Sequence, residues 1–132
     1  MRAYFGIKIY EDYRNKDRIL GICGQLKSAG IDVLNLSRDV EHWGESPVVD
    51  AELLDIRYRE IRVADFVVID ATDRCVSLGI EMGYAKAMGK PIFLISDMTE
   101  LLDPILESNA THSFQYKKIK DIRGLVNTHW LE

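Results

Sequence analysis

Residues 64–96 constrain the fold more than any other part of the chain, because they contain a complete strand–loop–helix–turn–strand unit. Residues 66–69 are apolar and mostly β-branched, as expected of a parallel strand that is covered by helices on both faces. The pattern predicts a helix after them, with Ser77 as its N-cap. Gly89 is the predicted residue at which the chain leaves this helix, and Pro91 prevents continuation. Two strands joined through a helix predict a parallel sheet.

The same alternation continues along the rest of the chain. Further strands are predicted at 3–9, 32–36, after Pro91 and, weakly, at 114–116. Helices are predicted at 16–29, 49–63, 100–106 (a short helix or turn) and 119–128, and residues 37–47 form a polar loop. Alternating strands and helices predict right-handed crossovers and helices on both faces. We therefore predict one α/β domain over residues 1–132, a doubly wound, flavodoxin-like or Rossmann-like five-stranded parallel sheet with strand order 2-1-3-4-5.

Composition excludes several classes of function. The net charge is −4 and the Lys and Arg residues are scattered, which argues against a nucleic-acid surface. No apolar run approaches the roughly 20 residues that cross a bilayer, so no membrane partner is predicted. The two cysteines lack metal or redox spacing, which favours a reducing cytoplasm. The three histidines lie in unrelated segments, so the sequence predicts no metal site and no cofactor.

Several motifs together resemble those of the nucleoside 2-deoxyribosyltransferase superfamily. They are Ala-Asp-Phe-Val-Val at 64–68, Gly-Ile-Glu-Met-Gly-Tyr-Ala at 79–85 and Gly-Lys-Pro-Ile at 89–92. The superfamily includes the 2′-deoxynucleoside 5′-phosphate N-hydrolases and the cytidylate N-hydrolases. The Trp-Gly pair in the loop at 38–44 looks most like the latter, and Ser-Phe-Gln at 113–115 looks most like the former.

The resemblance implies cleavage or transfer at the N-glycosidic bond of a nucleoside or nucleoside 5′-monophosphate. It assigns the carboxylate nucleophile to Glu81, and it implies a homodimer or higher homo-oligomer with shared pockets. The residues agree, because the sequence places Glu81 in the first turn of a helix, where negative charge is stabilised by about 0.3–1 kcal/mol. We expect this carboxylate to be held ionised by the helix amides and to lie open to a sugar-sized cleft at the carboxyl edge of the sheet.

Other candidate residues have weaker signals, and each has a structural alternative. Asp70 ends the third strand, where it would contact a base or act as an acid, or would only cap the loop. The remaining candidates for substrate binding are glycines that permit close approach, polar groups for a phosphate and side chains for a base: Gly6, Lys8, His42, Trp43, Asp73, Ser77, Gly79 and Ser113.

Three functions remain open at this point. The first is the N-glycosidic-bond enzyme. The second is a nucleotide-binding or sensing module that has lost turnover, which is motivated by three departures from the family pattern. The chain lacks the glycine-rich phosphate loop after strand one, has Arg57 where the family has an aspartate, and has Cys75 six residues before Glu81 where the hydrolases have a serine. The third is a response-regulator-like interaction domain on the same fold.

Overall fold

A computed structural model describes residues 1–126, and it confirms the predicted sheet. Five parallel strands lie in the order β2-β1-β3-β4-β5. The strands are β1 (Arg2–Ile7), β2 (Asp32–Leu34), β3 (Phe66–Asp70), β4 (Ile92–Asp97) and β5 (His112–Tyr116). The helices are α1 (Lys16–Ser28), α2 (Asp50–Val63), α3 (Val76–Ala87), α4 (Pro104–Asn109) and α5 (Asp121–Leu125).

Helices cover both faces of the sheet, and β3 shows how the sequence divides its side chains between them. Phe66 and Val68 pack in one apolar cluster with residues of α1 and α5. Val67 and Ile69 pack in a second cluster with residues of α2 and α3. Successive side chains of a strand point to opposite faces, so an unbroken apolar run satisfies both helical layers. Among residues 1–126, no helix combines the length and the apolarity needed to cross a membrane.

The predicted loop at 37–47 contains two short helical turns, Leu36–Val40 and His42–Gly44. The first turn forms because the side chain of Asn35 accepts a hydrogen bond from the backbone N–H of Arg38. The Asp39 carboxylate in turn accepts one from the backbone N–H of Asn35. These bonds compete with strand pairing and end β2 at Leu34, two residues before the predicted end.

Helix α3 begins earlier than predicted, and this changes the position of the central carboxylate. Cys75 occupies the N-cap and makes no capping hydrogen bond through its side chain, so the prediction of Ser77 as N-cap is wrong. Glu81 therefore lies in the second turn of α3, not the first, and so beyond the turn whose free amides stabilise negative charge. The predicted end is confirmed, since Gly89 follows the helix with a φ of 70°.

The two helices nearest the C-terminus also differ in their bounds. The helix predicted at 100–106 lies at Pro104–Asn109 instead. The Asp103 side chain starts it by accepting a hydrogen bond from the backbone N–H of Ile105 at 2.9 Å. Of the helix predicted at 119–128, the structure shows Asp121–Leu125, and residues 127–128 lie outside the described residues. The prediction of one domain over 1–132 stays a prediction.

Candidate active site

A buried ion pair between α2 and α3 lies at the centre of the candidate site. Glu81 on α3 is only 2% exposed, and its Oε1 is 2.8 Å from Nε of Arg57 on α2. Tyr4 of β1 is buried beside both groups. The other carboxylate oxygen, Oε2, lies against Gly6 so closely that a Cβ added there would overlap it. Gly6 therefore allows the carboxylate to reach the strand.

The environment of Glu81 favours a reactive carboxyl group. Burial raises the pKa of Glu81 to about 7, while the charge of Arg57 and a hydrogen bond from Tyr4 oppose that rise. Oε2 of Glu81 and Nε of Arg57 have no hydrogen-bond partner, so the pair is a close ionic contact with poor hydrogen-bond geometry. Burying two charges without satisfying them costs stability, and strongly perturbed carboxyl groups of this kind cluster at functional sites.

A cleft of about 560 Å³, which we call the α2–α3 cleft, lies next to the ion pair. Its walls include Lys8 and Arg57 and the first turn of α3 from Cys75 to Ser77. Glu81 does not line it, because Arg57 contacts Glu81 on one side and the cleft on the other. The gap that does border Glu81 has no room for a water molecule. The expectation that this carboxylate lies open to a sugar-sized cleft is therefore wrong for this conformation.

A second cleft, which we call the β3–β4 cleft, has a volume of about 580 Å³ and adjoins the first. Lys8 and Tyr10 line both clefts, and Nζ of Lys8 lies 4.8 Å from the centre of the Tyr10 ring. Asp73 lines the second cleft, and its hydrogen bond with the Tyr10 hydroxyl raises the pKa of that tyrosine. Lys8 and Tyr10 thus lie between two clefts of similar size, and the cationic side chain of Lys8 lines both.

Asp70 is placed on the opposite face of the sheet from Glu81. Its carboxylate accepts a hydrogen bond from the Tyr116 hydroxyl at 2.6 Å and another from the backbone N–H of Thr72 at 2.8 Å. Arg18 of α1 donates to the Tyr116 hydroxyl and to the Thr72 hydroxyl. Asp70 is 0% exposed and lines neither cleft, so the expectation that it contacts a base or acts as an acid is not met by this geometry. It is part of a closed hydrogen-bonded network.

The structure brings some of the predicted binding residues to the clefts. Lys8 and Ser77 line the α2–α3 cleft, and the Ser77 hydroxyl lies 3.1 Å from Sγ of Cys75. Asp73 lines the β3–β4 cleft. Gly6 contacts Glu81 directly. These four residues therefore surround the ion pair or its neighbouring spaces, and their roles in binding stay predictions.

Four of the predicted binding residues line neither of these two clefts, and their roles in binding stay predictions. His42 is exposed, and Trp43 packs edge-on against Tyr13 with the rings 6.0 Å apart. Both adopt positive φ in the short turn, which points Trp43 toward α1 instead of a ligand. Gly79 is exposed on the outer side of α3, and Ser113 is exposed on the edge strand β5.

The sequence contains a signal that Arg57 belongs to the buried site. Arg57 lies four residues after Leu53 and four before Ile61, and all three are buried on the inner side of α2. A charged residue on an apolar helical stripe requires a buried partner. The partner is Glu81, so the departure from the family pattern at Arg57 belongs to the site itself.

Comparison with known proteins places the fold but not the chemistry. No protein-family model matches the sequence, and no match is found among curated proteins. Several solved structures share the fold. The CMP N-glycosidase BcmB of Clostridium botulinum is 20% identical, with a TM-score of 0.69, over 98% of this chain and 100% of its own.

The 2-deoxyribosyltransferase of Bacillus psychrosaccharolyticus is 15% identical, with a TM-score of 0.72, over 93% of this chain and 90% of its own. A conserved protein of Enterococcus faecalis V583 is 11% identical, with a TM-score of 0.73, over 96% of this chain and 97% of its own. At these identities the likeness is one of fold. The predicted fold is therefore one that this chain shares with a CMP N-glycosidase and a 2-deoxyribosyltransferase.

Proposed function

We propose that this protein is an enzyme that cleaves or transfers at the N-glycosidic bond of a nucleoside or nucleoside 5′-monophosphate, with Glu81 as the nucleophile. The observation that carries the proposal is the environment of Glu81. It is a buried carboxyl group with one unpartnered oxygen, one side chain away from a cleft of about 560 Å³. Two proteins with the same fold, a CMP N-glycosidase and a 2-deoxyribosyltransferase, act on bonds of this class.

The reaction follows from the position of this carboxylate once Arg57 has moved aside. An oxygen of ionised Glu81 attacks the anomeric carbon, the bond from that carbon to the base nitrogen breaks, and its electron pair leaves with the base. The base takes up a proton from solvent or a neighbouring donor. Water, or a second base in a transferase, then attacks the same carbon, releases the carboxylate and gives up a proton. The covalent intermediate divides one difficult displacement into two easier ones.

Release of free base is the direct test of this proposal. The purified protein is incubated with nucleosides and with nucleoside 5′-monophosphates, and free base is separated by chromatography. We expect release by the unchanged protein and its loss in Glu81→Gln. Asp70→Asn is the matched control, because it neutralises another fully buried carboxylate that lines neither cleft. Release that is unaffected by Glu81→Gln would overturn the assignment of the nucleophile.

A second candidate function is a nucleotide-binding or sensing module without turnover. The observation that favours it is that Glu81 is closed off from both clefts. Arg57 lies between Glu81 and the α2–α3 cleft, and the gap beside Gly6 has no room for a water molecule. Binding of a nucleotide without release of base from any nucleoside or nucleotide would support this second function. A homo-oligomeric state and a cytoplasmic location remain predictions, and size-exclusion chromatography with light scattering tests the first of them.

A further inference from the structure

We propose that Ser37 is a positioning residue for the reaction, which donates a hydrogen bond to Oε2 of Glu81 and so leaves Oε1 as the attacking oxygen. Ser37 lies in the first helical turn after β2, within the segment that the sequence predicted as a polar loop. This inference rests on the proposed function and deepens it, because it assigns different tasks to the two oxygens of the nucleophile.

The first support is the path of the chain after β2, which brings Ser37 to this carboxylate. Strand β2 pairs with β1 up to Leu34. The Asn35 side chain then donates a hydrogen bond to the backbone carbonyl of Phe5 at 3.2 Å, so the chain stays beside β1 after β2 has ended. Ser37 follows two residues later and borders the same gap as Glu81. A residue of the turn and a residue of α3 thus meet beside β1.

The second support is that two complementary polar atoms border this gap without partners. Ser37 is 1% exposed, and neither its Oγ nor Oε2 of Glu81 has a hydrogen-bond partner. The gap is lined entirely by described residues, and no other side-chain nitrogen or oxygen among them is buried without a partner. A hydroxyl donates one hydrogen bond and an ionised carboxylate only accepts, so each atom supplies what the other lacks.

The third support is the size of the gap. It has no room for a water molecule, so solvent cannot bridge the two atoms. A buried donor and a buried acceptor that both stay unpaired are strongly unfavourable. Rotation of the Ser37 side chain between staggered positions moves only its hydroxyl, and it turns this group toward Oε2 of Glu81. The resulting hydrogen bond is charge-assisted and stabilises the ionised form of the carboxylate.

The two oxygens of Glu81 face different surroundings, which decides the task of each. Oε1 lies 2.8 Å from Nε of Arg57, and Arg57 lines the α2–α3 cleft. Oε2 lies against Gly6, which lines neither cleft. Oε1 therefore forms the bond to the anomeric carbon once Arg57 has moved, and Oε2 becomes the carbonyl oxygen of the ester. When water or a second base cleaves this ester, the hydrogen bond from Ser37 stabilises the carboxylate that leaves.

Two other groups face the Glu81 carboxylate, and a test must leave both unchanged. Arg57 reaches it from α2 and Tyr4 reaches it from β1, and each lowers the pKa of Glu81 against the effect of burial. A hydrogen bond from Ser37 acts in the same direction, because it also stabilises the ionised form. A substitution at Ser37 alone therefore isolates its contribution to the ionisation of Glu81.

Carbon-13 NMR of the glutamate side-chain carboxyl groups tests the hydrogen bond without any substrate. The resonance of Glu81 is identified as the one that is absent from Glu81→Gln. We expect Ser37→Ala to raise the titration midpoint of Glu81 by about one pH unit, because a donor to the charged form is lost. Ser96→Ala is the matched control, since Ser96 is equally buried but pairs with Gln115 and does not border the gap. An unmoved midpoint in Ser37→Ala would overturn the proposal.

The outcome is distinguishable from failure of the proposed function, because the titration needs no turnover. A raised midpoint without release of base from any substrate would keep the hydrogen bond and reject the enzyme. Release of base with an unmoved midpoint would keep the enzyme and reject the role of Ser37. With both properties present, Ser37→Ala should lower kcat about tenfold with little change in KM, at a pH where Glu81 is ionised in both proteins. An unchanged kcat at that pH would reject the assignment of Oε1 as the attacking oxygen.

Discussion

Two buried carboxylates on opposite faces of one sheet, Asp70 and Glu81, have opposite environments. Asp70 ends β3 facing α1, and both of its oxygens accept hydrogen bonds, from the Tyr116 hydroxyl and the Thr72 backbone. Glu81 faces β1 from α3 and has one oxygen without a partner and the other in an ion pair. Burial raises the pKa of both groups, but of the two only Glu81 keeps an oxygen without a hydrogen-bond partner.

Burial alone therefore does not distinguish a structural carboxylate from a reactive one. The two residues that donate to Asp70, Tyr116 and Thr72, are themselves held in place, because Arg18 donates a hydrogen bond to the hydroxyl of each. Such a network rigidifies the fold and leaves nothing for a ligand to bind. Glu81 retains unused capacity at a cost in stability, which is the usual condition of an active-site group.

The largest expected difference is in catalysis. Glu81→Gln should lower kcat for base release by on the order of 10⁴-fold, because the covalent route is lost. Asp70→Asn should change kcat by less than about tenfold, since it touches neither cleft. Both variants are assayed well below the midpoints of their thermal unfolding. A larger loss in Asp70→Asn than in Glu81→Gln would invert the comparison.

The next effect is on stability at the ion pair. Arg57→Leu should lower the free energy of unfolding by about 3–5 kcal/mol, because it leaves the Glu81 charge buried without a partner. Replacing both residues, by Arg57→Leu with Glu81→Met, should recover that loss or stabilise the protein by about 1–4 kcal/mol. Urea unfolding followed by circular dichroism measures both. A double variant as unstable as the single one would show that the pair is needed for structure.

A smaller loss is expected from the network on the other face. Tyr116→Phe removes the hydroxyl that donates to Asp70 and accepts from Arg18, and it should cost about 1–3 kcal/mol. Combining it with Asp70→Asn should cost less than the sum of the two, because the two residues are in direct contact. Full additivity in the same urea experiment would mean that the two side chains do not stabilise each other.

The smallest effect is the dependence of activity on pH. Glu81 acts as the ionised form, and its pKa is raised to about 7, so kcat/KM should rise with pH below 7 and level off above it. The rise from pH 6 to the plateau should be about tenfold. Tyr4→Phe removes a hydrogen bond that lowers this pKa, so it should move the midpoint to higher pH. A profile that is flat from pH 5 to 8 would contradict the assignment.

The strand order could be predicted from the sequence because its signals are local. They are the apolar runs, the glycines that end helices, and the alternation of strands with helices. The sequence predicted both Gly6 and Glu81 as site residues; the two lie in contact, and their roles stay predictions. It missed the partner of Glu81, because pairing across α2 and α3 depends on how two helices pack and not on spacing along the chain. It also placed Trp43 at a ligand, although the positive φ of His42 and Trp43 forms a short turn in which Trp43 packs against Tyr13.

The most direct test of the central claim is to trap the sugar on the protein. A 2′-fluorinated nucleoside 5′-monophosphate slows both steps of the reaction, and peptide mapping by mass spectrometry then locates any covalent adduct. We expect one sugar phosphate on the peptide that contains Glu81 and none on the peptide that contains Asp70. Base release without an adduct at Glu81, or with an adduct on another residue, would contradict it.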